Sequence, residues 1–441
     1  MFIFHAQNQV AGFSQSIAKI RNICVLGKRA LLIIKLIYMN KTFALITERK
    51  NPPDKRVVLT PSQCIEFQKR YPDARLLVEK SDVRVFTDQE YVDAGFEVVD
   101  DVSQADVLLG VKEVPVEALI PNKTYLFFSH TIKEQPYNRG LLQAILKNNI
   151  ELIDHETLVK SNNVRLVGFG RYAGIVGAYN GLRMIGLKEQ LFTLPKAEDL
   201  RDLVALKKAL NKVKLPAMKI VVTGKGKVGK GAKEVLNHLE IKNVTIPEFL
   251  NESFDEPVYC SIEPIDYVKR KDGSKKEKLD LYSKPELFKN DFMRFAKIAD
   301  VFIAGHFYDE GAPKLLSIED LQNPELKIRY IADISCDIDG PIASTIRPST
   351  IADPFYGFLV SDKKEVAYTH PEAISVMAVD NLPCELPRDA SEGFGKDFLN
   401  LIIPSFFNKD KSEVLKRAKI TNKQGELTSR FTYLSDYVKK E

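Results

Sequence analysis

The sequence predicts an α/β protein of two domains with largely parallel sheets, and three observations carry that expectation. At 441 residues the chain exceeds what one hydrophobic core usually serves, so two domains are the natural division. Short β-type runs alternate with helix-length segments along both halves, the pattern of units whose strands lie parallel. A glycine-rich stretch, Gly224-Lys225-Gly226-Lys227-Val228-Gly229, follows one such run and opens a helical pattern, which places a phosphate-binding turn in the second half.

The elements follow in order. In the first block, strands are expected at 43–47, 74–78, 107–111 and 125–128, with a helix at 61–70 opened by Pro61. A helix at 141–149 and a strand at 151–153 come next. Residues 173–187, rich in Ala, Gly and Leu, read as a long buried helix that crosses from one domain to the other. A charged helical stretch at 194–214 ends at Leu215-Pro216, and the strand at 219–223 begins a second unit. Strand-like runs at 243–246, 301–304 and 328–334 continue it. Residues 270–278 are strongly charged and lack an apolar period, so they read as a solvated turn, with a phosphate-binding patch as the alternative.

The formal net charge of +5 is local. Residues 1–38 hold Lys19, Arg21, Lys28, Arg29 and Lys35 and no Asp or Glu; the rest carries 59 basic against 59 acidic residues. A neutral body offers no footprint for a polyanion, so nucleic-acid binding is not expected. The apolar stretch 30–38 is too short to span a bilayer, and Lys35 interrupts it. Because a strand-like run follows Met39 at once, residues 1–38 read as sequence upstream of the natural start, with a targeting peptide as the alternative. Five scattered cysteines, none with a His at ligand spacing, suggest neither a metal site nor a disulfide framework, and fit a reducing cytoplasm.

The glycine motif has both neighbours that a dinucleotide site requires, a strand before and a helix after. Gly224 would make the tight turn, Gly226 would let the backbone approach a pyrophosphate, and Gly229 would let helix pack on strand; Gly231 joins them as a cofactor-binding candidate. The pyrophosphate would sit at the helix N-terminus. A carboxylate at the end of the next strand would take the adenosine ribose, and Glu248 is the candidate. Its acidity favours NAD slightly, whereas Lys225, Lys227 and Lys230 would suit the 2′-phosphate of NADP.

Further motifs are ordered along the chain: Lys55-Arg56-Val57-Val58-Leu59-Thr60-Pro61, Gly110-Val111-Lys112-Glu113-Val114-Pro115, Phe127-Phe128-Ser129-His130-Thr131-Ile132-Lys133, Asp154-His155-Glu156, Arg165 to Gly174, Ala332 to Asp337 and Val379-Asp380-Asn381-Leu382-Pro383. Together they resemble the lysine-forming saccharopine dehydrogenases and the lysine-ketoglutarate reductase domain of the bifunctional enzymes of lysine breakdown. That resemblance implies two Rossmann-like domains with an active-site cleft between them. It assigns 39–172 with about 380–441 to a substrate domain and 173–379 to a dinucleotide domain. It also implies NAD(P)-dependent cleavage of saccharopine to lysine and 2-oxoglutarate, or the reverse.

By the same resemblance, Lys112 and His130 are the acid-base pair, and Glu113 and Glu156 tune the lysine. Arg56 and Arg165 clamp substrate carboxylates, with Lys133 and Arg171 as weaker candidates. Asp333 and Asp380 stand near the cofactor. An unperturbed lysine has a pKa of about 10.4, so the base role requires burial or a cationic neighbour. Two rivals stand beside this reading: an alanine dehydrogenase-like enzyme, and a non-catalytic nucleotide-binding regulator.

Overall fold

A computed structural model describes residues 41–308 and 311–440. The expectation for residues 1–38 lies outside them. The chain divides into two compact units, one running to Gly168 and resuming at Phe394, the other spanning Phe169–Gly393.

The first unit is a six-stranded parallel sheet with strands β1 (Thr42–Leu45), β2 (Arg75–Glu79), β3 (Glu97–Val99), β4 (Val107–Leu109), β5 (Thr124–Phe127) and β6 (Glu151–Asp154). Their spatial order is β3-β2-β1-β4-β5-β6. Central strands β1, β4 and β5 are buried on both faces, which is why they read as continuous apolar runs rather than alternating ones. Helix α1 (Pro61–Arg70) starts where Thr60 and Gln63 form a reciprocal capping box, with Pro61 in the first turn. The chain builds outward from β1 to β3, then crosses to the other side of β1. That reversal leaves a crevice outside the C-terminal ends of β1 and β4, the place where sheets of this kind bind ligands.

The second unit holds an eight-stranded sheet. Six strands run parallel: β7 (Lys219–Thr223), β8 (Lys242–Asn243), β9 (Val258–Ile262), β12 (Val301–Ala304), β13 (Tyr330–Asp333) and β16 (Ile374–Met377). The antiparallel β14 (Phe355–Leu359) and β15 (Lys364–Val366) finish one edge, and β10 (Val268–Arg270) and β11 (Phe288–Asn290) form a separate ribbon. The order β15-β14-β16-β13-β12-β7-β9-β8 puts this unit's reversal between β7 and β12. Helix α2 (Gly170–Lys188) is buried over most of its length, as its composition predicts. It lies against α3 (Lys227–His238), the helix that follows the glycine loop. A Cβ on Gly174 would stand 2.0 Å from the Val228 carbonyl oxygen, and one on Gly231 2.0 Å from that of Arg171. Backbone therefore rests on backbone here, and only glycine fits.

Three expectations need correction. The run 243–246 is not a strand: β8 ends at Asn243, and Thr245 caps a helix, α4 (Ile246–Asn251). The strand lying beside β7 is β9, which sequence reading passed over. Residues 380–393 belong to the second unit rather than the first. There Glu385 accepts a 2.9 Å hydrogen bond from Asn180 of α2, and Asp389 accepts the Leu203 N–H at 2.8 Å. In 270–278, Arg270 pairs with Asp272 and Asp280 at 3.0 and 2.9 Å, so that cation is already neutralised. No helix among the described residues is long and apolar enough to cross a membrane.

Candidate active site

In the first unit the residues of interest follow the C-terminal ends of parallel strands, so a single edge of the sheet collects them. Lys112 and Glu113 follow β4, His130 follows β5, and Glu156 follows β6. His130 has φ of +54°, a left-handed conformation that costs a non-glycine residue strain. Its Nδ1 lies 2.6 Å from Glu113 Oε1, and Glu113 Oε2 lies 3.3 Å from Lys50 Nζ. Burial by itself would raise the Glu113 pKa. The hydrogen bond and charge of His130 outweigh it and hold the carboxyl at about 2.

Lys112 meets the requirement set by chemistry. Burial first, then the positive charges of Arg56 and Lys50, holds its ammonium below the ordinary lysine range. Its backbone is fixed by a residue that sequence reading missed. Glu48, buried after β1, accepts the Val111 N–H at 2.6 Å on one oxygen and the Lys112 N–H at 2.8 Å on the other. Burial, with the charge of Asp54 adding to it, pushes Glu48 up to about 8.

The cations differ in availability. Arg56 is 3% exposed, its Nε 2.9 Å from Asp54 Oδ1 and its Nη2 2.5 Å from Oδ2. Two donors of the expected carboxylate clamp are thus spent on an internal partner. Arg165 keeps 47% side-chain exposure and gives one 2.6 Å hydrogen bond to Glu156 Oε1, which leaves donors of its fork open. Burial would raise Glu156, but the charges of Arg165 and Lys133 outweigh it and lower its pKa. Lys133 itself is exposed. Arg171 lies in the second unit, where Glu234 takes its Nε and Nη2 at 2.9 and 2.8 Å and the Tyr172 hydroxyl takes its Nη1 at 3.1 Å. Three of its five N–H donors are thus engaged within the second unit, which leaves it a weaker candidate for a substrate contact than Arg165.

The second unit presents a cavity of about 640 Å³ at the C-terminal edge of its sheet, lined by Gly224, Lys225, Gly226, Glu263, His306 and Ser335 among others. Gly224 has φ of +90° and Gly226 is the N-cap of α3. A Cβ on Gly229 would stand 1.8 Å from the Gly224 carbonyl oxygen, whereas one on Gly226 would meet nothing within 4 Å. The loop is therefore tight on itself and open on the side a ligand would approach. Gly231, expected at the cofactor, is the helix-packing glycine described above and does not line the cavity.

Glu248 is displaced from its expected role. Its carboxylate accepts the Thr245 N–H at 2.7 Å, closing a capping box on α4. The carboxylate beside the glycine loop is Glu263, which follows β9. Since Ile262 pairs with Thr223, Glu263 stands level with Gly224, its oxygens bonded to Lys278 and 3.5 Å from Lys225. A signal was present in the apolar run Val258 to Ile262 ahead of it. Asp333 is buried and its oxygens are occupied: Oδ1 accepts Ser335 N–H and Oγ–H at 3.1 and 2.6 Å, and Oδ2 accepts Thr345 Oγ1–H at 2.7 Å. It shapes the loop after β13 rather than facing the cavity. Asp380 is exposed just past β16.

The chain resembles known proteins in sequence and in fold. Residues 44–176 match the family described as alanine dehydrogenase/PNT, N-terminal domain. The fold is that of an L-alanine dehydrogenase structure, with a TM-score of 0.61, 16% identity, and 90% of this chain and 99% of that one covered. A transhydrogenase from Sinorhizobium meliloti gives a TM-score of 0.55 at 15% identity, covering 88% and 99%.

Two named groups of proteins are similar to the chain in sequence. It is 32% identical to an alpha-aminoadipic semialdehyde synthase of Arabidopsis thaliana, over 90% of this chain and 41% of the relative. To the Mus musculus protein of that name, described as mitochondrial, it is 30% identical, over 90% of this chain and 48% of the relative. The chain thus spans less than half the length of these curated relatives. With the saccharopine dehydrogenase [NAD(+), L-lysine-forming] of Yarrowia lipolytica it shares 28% identity, over 83% of this chain and 93% of the relative.

Proposed function

We propose that the chain is a pyridine-nucleotide-dependent oxidoreductase acting on the CH–NH bond of saccharopine, releasing lysine and 2-oxoglutarate or joining them in reverse. One observation carries the reading: a half-buried lysine of lowered pKa stands beside a Glu113–His130 pair on a single sheet edge. In the oxidative direction, Lys112 takes the proton of the secondary amine as hydride leaves the adjacent carbon. His130, oriented by Glu113, takes a proton from the water that adds to the resulting imine, and returns one as the amine departs. The nicotinamide cofactor supplies the hydride acceptor. Arg165 holds a substrate carboxylate through its open donors.

The second unit's cavity fits that cofactor, with a loop that requires glycine at 224 and 229, a helix N-terminus for the pyrophosphate, and Glu263 for the adenosine ribose hydroxyls. A carboxylate there disfavours a 2′-phosphate, which supports NAD over NADP. An alanine dehydrogenase activity is the weaker reading, because identity to the alanine dehydrogenase structure is 16% against 26–32% for the saccharopine and aminoadipic relatives. Turnover of saccharopine, of alanine, and of lysine with 2-oxoglutarate, each with both cofactors, tests the proposal. Activity with alanine alone, or cofactor binding without turnover, overturns it. We place the enzyme in the cytoplasm, where its scattered cysteines stay reduced; import of a reporter fused to residues 1–38 into mitochondria overturns that placement.

A further inference from the structure

His306 plays no part in the chemistry above, yet it occupies the reversal point of the second unit's sheet. It follows β12 by two residues, after Gly305, whose N–H donates to the Thr223 carbonyl oxygen at 3.1 Å at the end of β7. The ring is 5% exposed, stacked on Phe302 with a 4° interplanar angle and edge-on to Tyr267. Its Nδ1 lies 2.7 Å from Thr223 Oγ1. Its Nε2 is buried with no hydrogen-bond partner among the described residues. The ring stands in the wall of the cavity that holds the glycine loop, and of a smaller one lined by Tyr267 and Tyr282.

The hydrogen-bond arithmetic fixes which group is left over. Burial keeps this imidazole neutral, its pKa pushed down to about 4, and a neutral ring carries one N–H and one acceptor nitrogen. Thr223 is fully buried, so its hydroxyl hydrogen needs an acceptor, and Nδ1 is the one within reach. If Nδ1 accepts, Nε2 carries the hydrogen. A buried N–H with no acceptor costs about 1–3 kcal/mol, a penalty that a bound oxygen would remove.

Resting on the dinucleotide reading of this cavity, we propose that His306 is a cofactor-binding residue whose Nε2–H donates to an oxygen of the pyrophosphate–ribose chain. The contact lies in the ADP-ribose portion, since the ring lies level with the glycine loop. Leucine at 306 removes the donor, whereas glutamine returns an N–H close to the place of Nε2.

The test is binding of NADH, followed by its own fluorescence, and of ADP-ribose, followed by calorimetry, to the full chain and to His306→Leu and His306→Gln. His306→Leu weakens both ligands by the same factor, about tenfold, as expected for one hydrogen bond. His306→Gln binds within about threefold of the original chain. Without ligand, His306→Leu removes the orphaned donor but strands the Thr223 hydroxyl, so the two changes roughly offset and melting stays near that of the original. Unchanged affinity for both ligands in His306→Leu overturns the proposal and leaves the dinucleotide reading intact. So does a lower melting temperature with normal affinity, which marks the histidine as structural. Failure of the original chain to bind NADH, NADPH or ADP-ribose overturns both.

Discussion

Replacing Arg56 separates an internal ion pair from a substrate clamp. The Asp54–Arg56 pair is 1% and 3% exposed and is joined through two side-chain hydrogen bonds of 2.9 and 2.5 Å. Arg56→Met leaves the Asp54 carboxylate buried without that partner, and breaking a buried pair on one side costs about 3–5 kcal/mol. In a unit of this size each kcal/mol moves the midpoint by about 2–4 °C, so the first unit should melt roughly 6–20 °C lower. Calorimetry with far-ultraviolet circular dichroism reads this, since the chain has no tryptophan to report by fluorescence. The double variant Asp54→Asn/Arg56→Met should recover most of the loss, because a neutral pair replaces a stranded charge. A second effect is electrostatic: the Arg56 charge contributes, after burial, to lowering Lys112, so the acid limb of kcat/KM should move to higher pH. If Arg56→Met instead melts like the original chain and only raises KM, the guanidinium is a carboxylate clamp and the argument from burial is wrong.

Other outcomes follow from the same geometry. Lys112→Met and His130→Gln should each lower kcat with saccharopine by about 10²- to 10⁴-fold, with smaller changes in KM; steady-state kinetics near the original values would remove both from acid-base chemistry. Arg165→Ala should act mainly on KM, and a fall confined to kcat would contradict its role as a clamp. Glu263→Ala should erode preference for NAD over NADP while Glu248→Ala leaves it unchanged, measured as the ratio of kcat/KM; an original chain that prefers NADP assigns the phosphate to Lys225 and Lys278 instead. Glu113 has its pKa lowered from 4.5 to about 2, so its stabilisation is complete above about 4.5 and is lost as pH falls through about 2. Glu113→Gln should therefore flatten that stretch of the stability profile, worth on the order of 3 kcal/mol, and an unaltered profile would place the shift elsewhere.

Much of the architecture is written locally. β7 and β12 fall where apolar runs predict them, and α1 begins at the Thr-Pro pair that starts a helix in most settings. The candidate site is legible where side chains follow strand ends in recognisable strings, as with Lys112-Glu113 and His130. It is not legible where partners are distant in sequence. Arg171 meets Glu234 across 63 residues of chain, and even Asp54, two residues from Arg56, gives no sign in the string that it takes the guanidinium. Glu248 misleads for a related reason: counting residues past the glycine loop assumes that the next strand is the neighbouring one. Here β8 and α4 intervene, and β9 takes the neighbouring place. Spatial order in a sheet is a tertiary property, so spacing along the chain cannot supply it.

The contact between α2 and α3 has a consequence for how variation in this protein is interpreted. At Gly174 and Gly231 the two helices touch through main-chain atoms, with no intervening layer of side chains to be repacked. A single added methyl group has nowhere to go except by prising the helices apart, and α3 is the helix whose first turn borders the glycine loop. Inherited or engineered alanines at these positions would then abolish activity as thoroughly as changes to Lys112, though neither glycine lines the cavity. A survey of inactivating substitutions would mark this seam as if it were part of the catalytic apparatus. Melting curves of unliganded variants tell the two kinds of residue apart, because only the seam fails before any substrate is added.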